Sequence, residues 1–143
     1  MYYVNQNQID KRLEFINWLV ETIPQTLDNE SVSDKAILFL AQERILHLAL
    51  ESVTDVGSYI IDGFLMRDAS SYEDIIEILH GEKVFPSHLL ETLLNLVKMR
   101  KKIVQEYFHL DRNEVYPILL ELPTTLSEFS HSISIYLKHE LNS

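Results

Sequence analysis

From Ile37 to Phe64 apolar residues recur in steps of three and four: Ile37, Leu38, Ala41, Ile45, Leu48, Ala49, Val53, Val56, Ile60 and Phe64. That period is helical, and a run this long leaves no place for strand alternation. It predicts a helix from Asp34 to about Met66, with Ser31, Ser33 and Asp34 as N-cap candidates. Leu40, Leu46, Leu50 and Ile61 fall outside one narrow stripe, so two faces are expected to be buried. One would meet the rest of the bundle and the other a partner chain. Gly57 in mid-helix costs about 1 kcal/mol against Ala and is read as a place where another helix comes close.

The other segments share the period. Ile9, Leu13, Ile16, Val20 and Ile23 mark a helix from about Asn5 to Ile23, widened by Phe15, Trp18 and Leu19 and ended by Pro24 and the polar run from Asp28. Ser70 to Glu73 fits a capping box for a short helix through Leu79, with Gly81 as its C-terminal glycine. Pro86 suits the first turn of a fourth helix, on which Leu89, Leu93, Leu96, Arg100, Ile103 and Tyr107 lie along one face. Asp111 to Glu114 is a second capping box, and Pro117 and Pro123 predict a kinked or divided last helix whose second part runs from about Thr125 to His139. With three Gly and four Pro in 143 residues there is little turn chemistry for hairpins. The expected fold is all-α, an up-and-down bundle of four or five helices, in a single domain over 1–143.

Composition excludes several chemistries. Without Cys there are no disulfides, thiolate metal sites or cysteine nucleophiles. No leader with a basic and then an apolar region is visible, and no apolar run approaches the ~20 residues of a membrane span, so a cytoplasmic location is expected and no membrane partner. A net charge of -10 argues against broad binding to duplex nucleic acid, which needs a large basic face. Glu77 with His80 and Glu106 with His109 have the Glu-x-x-His spacing of di-iron bundles, but the two further inward carboxylates such a site needs are not identifiable. No metal or cofactor is therefore expected, and His47, His88, His131 and His139 read as surface or packing histidines. Three scattered glycines make no phosphate loop, and no nucleophile elbow is present.

One stretch departs from the acidic background. Lys98, Arg100, Lys101 and Lys102, four of the chain's 12 cationic residues, fall within five positions, and Tyr107 and His109 follow. A solvated helix end, with cations favoured by the helix dipole, accounts for such a cluster by itself. Arg100 on the apolar side, with Tyr107 seven residues on at nearly the same azimuth, does not fit that account and points to a site for anions.

Around these residues the chain resembles the HepT-like family of the HEPN superfamily, over essentially its whole length, and in overall look the bacterial YutE-type members. The family carries Arg-x4-His-x-Tyr near a helix end, and Met99-Arg-Lys-Lys-Ile-Val-Gln-Glu-Tyr107 aligns with its Met-Arg-Asn-x-Leu-Val-His-x-Tyr signature. Ala41 to Glu51 resembles the family's corresponding stretch on helix two. The resemblance implies a dimeric, metal-independent endoribonuclease, often a toxin paired with a minimal nucleotidyltransferase antitoxin that attaches AMP to the motif tyrosine. Carried over by residue, Arg100 is the motif arginine and Tyr107 the motif tyrosine and AMP acceptor, with Lys98, Lys101 and Lys102 left for RNA phosphates. The motif histidine falls on Gln105, and an amide does not titrate, so activity is expected to be attenuated. His109, four residues on and on nearly the same side of a continuous helix but about 6 Å further along, is a candidate substitute. The alternative is a catalytically inactive dimeric module that binds RNA or a protein partner through the same cleft.

Overall fold

The computed structural model describes residues 2–27 and 34–142. They form helices throughout, with no strand among the described residues. The order is α1 (Gln6–Thr22), α2 (Lys35–Gly63), α3 (Tyr72–Gly81), α4 (Leu90–Lys98), α5 (Arg100–Val104) and α6 (Arg112–Leu141). Short 3-10 turns lie at Ile23–Thr26, Ser87–Leu89 and Tyr107–His109. Since α4 and α5 are two pieces of one broken helix, the bundle has five helical members, as expected.

Helix α2 is the centre: α1, α3, α4, α5 and α6 all pack on it. This answers the expectation of a second apolar face kept for a partner. Leu46, Leu50 and Ile61 are buried inside this chain, and the large apolar residues of α2 that remain exposed are Ile37 and Leu40, near its start. Five neighbours on one helix use up nearly all of its apolar girth. Ile75 and Leu79 of α3 come so close that a Cβ on Gly57 would sit 2.5 Å from Ile75 Cγ2, which confirms the close approach read from that glycine.

Local capping follows the polar residues named above, with shifts of register. Asp34 caps α2 by accepting from the Ala36 amide at 2.9 Å, while Ser31 and Ser33 lie outside the described residues. Ser71, rather than Ser70, caps α3 through the Asp74 amide at 3.0 Å. Asp111 caps α6 at the Asn113 amide, and Glu114, instead of closing a box, reaches Lys102 at 2.6 Å. Of the two expectations, a kinked or a divided last helix, the division does not occur: α6 runs undivided through Pro117 and Pro123. Each proline removes one intrahelical bond, but Val115, Leu119, Leu122, Leu126, Phe129, Ile133 and Leu137 share one buried stripe on both sides of them, and splitting the helix would break that seam.

The left-handed C-terminal positions are not glycines. Leu65 at φ 57° and Lys83 at φ 61° end α2 and α3. In each case the next amide bonds back across the last turn, Met66 N–H to the Ile61 carbonyl at 3.0 Å and Val84 N–H to the Leu79 carbonyl at 2.9 Å. Gly81 stays inside α3, so the terminator expected there acts two residues later in Lys83. A leucine in this conformation is strained by roughly 1–2 kcal/mol. Leu65→Gly loses little packing at an exposed position and is expected to stabilise the fold by about 0.5–1 kcal/mol. Thermal unfolding would show a rise of a few degrees, and a fall would contradict the strain argument.

Candidate functional site

The basic stretch does not continue as one helix. Helix α4 stops at Lys98, and the Met99 amide bonds to the Leu96 carbonyl at 3.2 Å in a tighter turn before α5 resumes at Arg100. Helix α5 then loosens: the amides of Gln105 and Glu106 both reach the Lys101 carbonyl, at 2.9 Å each. No residue after Val104 shares its helical register, so Tyr107 is not on the Leu93–Leu96 face but in a separate 3-10 turn, 65% exposed. The continuous helix that would carry His109 one turn beyond Gln105 is absent. His109 is exposed on that same turn, its ring 4.5 Å from Phe108. The break follows from divergent burial: Leu93, Leu96, Val97 and Met99 belong to the core, whereas Ile103 leans on the first half of α2.

The segment descends α2 towards its start. Arg100 lies over Tyr72, the first residue of α3, with the guanidinium carbon 4.1 Å from the ring centre. Ile103 shares a surface depression of about 210 Å³ with Leu40, Glu43, Arg44 and His47 of α2. Further along the chain Arg112 reaches Glu43 at 3.0 Å and sits 5.6 Å from the Phe39 ring centre.

The four cations separate into two kinds. Lys101 stands 3.9 Å from Glu106, and Lys102 is bonded to Glu114. Among the described residues Lys98 and Arg100 have no carboxylate partner. Arg100 is half-buried, and its Nε is shut off from solvent with no hydrogen-bond acceptor. An unsatisfied buried donor costs about 1–3 kcal/mol, which the stack on Tyr72 largely offsets. A guanidinium held in this way keeps its forked donors for an incoming anion.

The start of α3, which carries Tyr72 as its first residue, is held by a network. Arg67 binds both carboxylate oxygens of Asp74 at 2.7 Å, and Ser70 donates its amide at 2.9 Å and its hydroxyl at 3.1 Å to Oδ2. The Arg67 guanidinium, and after it the Ser70 amide, hold the Asp74 carboxyl well below the usual carboxylate range against the opposing effect of burial. A carboxyl lowered by folding contributes stability that is fully present above its unfolded pKa and is lost as pH falls through the folded one. Acid unfolding is therefore expected to set in below about pH 4 with a component that Asp74→Asn removes. Identical acid limbs for the two proteins would refute that assignment.

Among the described residues no three or more His, Asp or Glu side chains are grouped to hold a metal ion. The Glu-x-x-His pairs do not converge: His80 bonds Ser87 at 2.9 Å. The site therefore comprises Arg100 on Tyr72, the exposed Gln105 and Tyr107 beyond it, and the α2 depression beside Ile103. Reading the sequence did not find Tyr72, Arg44 or His47, because nothing in local spacing links them to residue 100. No described helix is long and apolar enough to cross a membrane.

Comparison with known proteins bears on the family and the fold. The family model described as Ribonuclease HepT-like matches residues 8–133. The Bacillus subtilis (strain 168) protein named "Putative RNase YutE" is 37% identical over 141 residues, 99% of this chain and 95% of the relative. A solved structure of YutE from Bacillus subtilis, described as a cytosolic protein of unknown function, superposes with a TM-score of 0.89 at 36% identity, covering 100% of this chain and 97% of that one. A tri-AMPylated Shewanella oneidensis HEPN toxin in complex with MNT antitoxin superposes with a TM-score of 0.79 at 18% identity, over 90% of this chain and 97% of that one, a likeness of fold. The chain belongs to the Ribonuclease HepT-like family.

Proposed function

We propose that this chain is an endoribonuclease of the HEPN type and the toxin component of a toxin–antitoxin pair, cleaving RNA without a metal. The observation that carries the reading is Arg100: a half-buried guanidinium with no carboxylate among the described residues, stacked on Tyr72 one turn before Ile103, in a chain of net charge -10. Its donors would bind the scissile phosphate and stabilise the charge that grows on it as the 2′-hydroxyl attacks. Lys98, without an acidic partner among the described residues, would hold a neighbouring phosphate. Lys101 and Lys102, already near Glu106 and Glu114, contribute less. Exposed apolar residues border the site: Leu40, Val104, Tyr107 and Phe108. They suit a second copy of the chain, so that two sites face each other across a homodimer. The exposed phenol of Tyr107 is open to AMP transfer by a nucleotidyltransferase antitoxin, the type of partner bound by the Shewanella toxin.

Gln105 favours a second reading, an inactive module that binds RNA or a protein partner. One assay separates the two. Purified protein is incubated with single-stranded RNA and chelator, beside Arg100→Ala. The nuclease reading expects fragments ending in 2′,3′-cyclic phosphate from the parent only. RNA retained but uncut by the parent would favour the binding module.

A further inference from the structure

If the chain cleaves RNA, a proton must leave the attacking 2′-hydroxyl, and Gln105 does not titrate. Of the six histidines, the structure places one beside the helix that bears Arg100. His88 pairs with Glu128 near Pro86, and His131 and His139 lie on the α6 side of the same region. His80 is bonded to Ser87, and His109 stacks on Phe108 in the turn beyond α5. His47 shares a depression with α5, through Ile103, and Arg100 is one turn before Ile103 on the same helix.

His47 is also held as a proton carrier needs to be. Its Nε2 lies 3.3 Å from Glu51 Oε1, one turn along α2. Its Nδ1 lies 3.5 Å from Arg44 Nη1. A guanidinium only donates, so Nδ1 is the acceptor and the ring proton sits on Nε2, directed at the carboxylate. A carboxylate that fixes the tautomer on one nitrogen and leaves the other basic is the arrangement that orients catalytic imidazoles elsewhere. The ring is 28% exposed, buried enough to be positioned and open enough to meet a substrate. The charged groups around it are Glu43, Arg44 and Glu51 from α2 and Arg112 of α6 through its pair with Glu43, while Arg100 lies one turn before Ile103 on α5.

We infer that His47, positioned by Glu51, is the general base of this site, in the role left vacant at Gln105, with Arg44 as a second phosphate ligand. This rests on the nuclease reading above and deepens it. In the step it assigns, Arg44 turns from His47 Nδ1 to the phosphate, and the 2′-oxygen bonds to phosphorus while its proton passes to the freed Nδ1. The bond from phosphorus to the 5′-oxygen breaks, and the leaving oxygen takes a proton from water. The resulting hydroxide is neutralised by the imidazolium, which restores the base. The products are a 2′,3′-cyclic phosphate and a 5′-hydroxyl end, so RNA carrying a single 2′-deoxynucleotide at the cleavage position is not cut.

The test measures cleavage against pH for the full chain, His47→Gln, Arg100→Ala and the exchange variant carrying both His47→Gln and Gln105→His. Loss of a general base costs roughly 10²–10⁴ in rate. His47→Gln is expected to lose that much and to lose the histidine limb of the pH–rate profile, and the exchange variant is expected to recover part of both. Glu51→Gln should weaken the limb without abolishing cleavage. If the parent and His47→Gln cleave alike while Arg100→Ala does not, the role of His47 is overturned and the nuclease reading stands. If neither parent nor exchange variant cuts RNA, both readings fail together.

Discussion

Arg100→Ala is expected to lower RNA cleavage by roughly 10²–10³, the usual loss when a preorganised donor to a developing charge is removed. Binding of uncut RNA should weaken less, because Lys98 and the α2 depression remain. Stability should hardly change. The substitution deletes a buried Nε that has no acceptor, relieving about 1–3 kcal/mol, and gives up a stack on Tyr72 of about 0.5–2 kcal/mol. These two effects nearly cancel, so an unchanged melting temperature with lost cleavage separates a functional arginine from a structural one. Arg100→Lys is expected to rescue poorly, since an ammonium lacks the planar fork that binds two phosphate oxygens at once. Retained cleavage in Arg100→Ala would remove the basis of the proposed function.

Phe129→Ala is expected to cost about 3–5 kcal/mol, a large part of the stability of a domain this size. Phe129 has no exposed surface, lies in the stripe of α6 that continues past both prolines, and stands 6.3 Å from the Phe85 ring centre. Deleting the ring leaves a cavity at a point where α6 meets the connection into α4, so the walls are held by two elements and cannot close on it. A fall in melting temperature of roughly 10 °C is expected, with cleavage lost only on heating. A shift of a degree or two would show that the core there relaxes freely.

Much of the architecture could be read from spacing alone. The stripe Ile9, Leu13, Ile16 and Ile23 and the caps Asp34 and Asp111 act through neighbours within a few turns, and such interactions are written in sequence order. Arg100 and Tyr107 were singled out by resemblance to the family motif, and the shared helical azimuth that spacing gave them does not survive the break of register after Val104. What could not be read depends on partners distant in the chain. Leu46, Leu50 and Ile61 looked like an interface because the sequence does not say how many helices surround α2. Pro117 and Pro123 looked like breaks because the cost of a lost backbone bond is local, whereas the packing seam that offsets it is not. The break at Met99 carries neither proline nor glycine and arises because the two halves of that helix are drawn to different neighbours.

The candidate site divides along the same line. Sequence by itself determined the helical class, the place of the cationic run in an acidic chain, and the absence of a titrating group at Gln105. Only the tertiary structure decided which of those cations are spent. Glu114 takes Lys102, a pairing across 12 residues, and Arg100 is left over Tyr72 from another helix. Only the tertiary structure also set His47, 53 positions before Arg100 in the sequence, beside the helix that carries that arginine. Charge pairing and proton transfer act over a few ångströms in space, and no periodicity in the sequence encodes which distant helix comes that close.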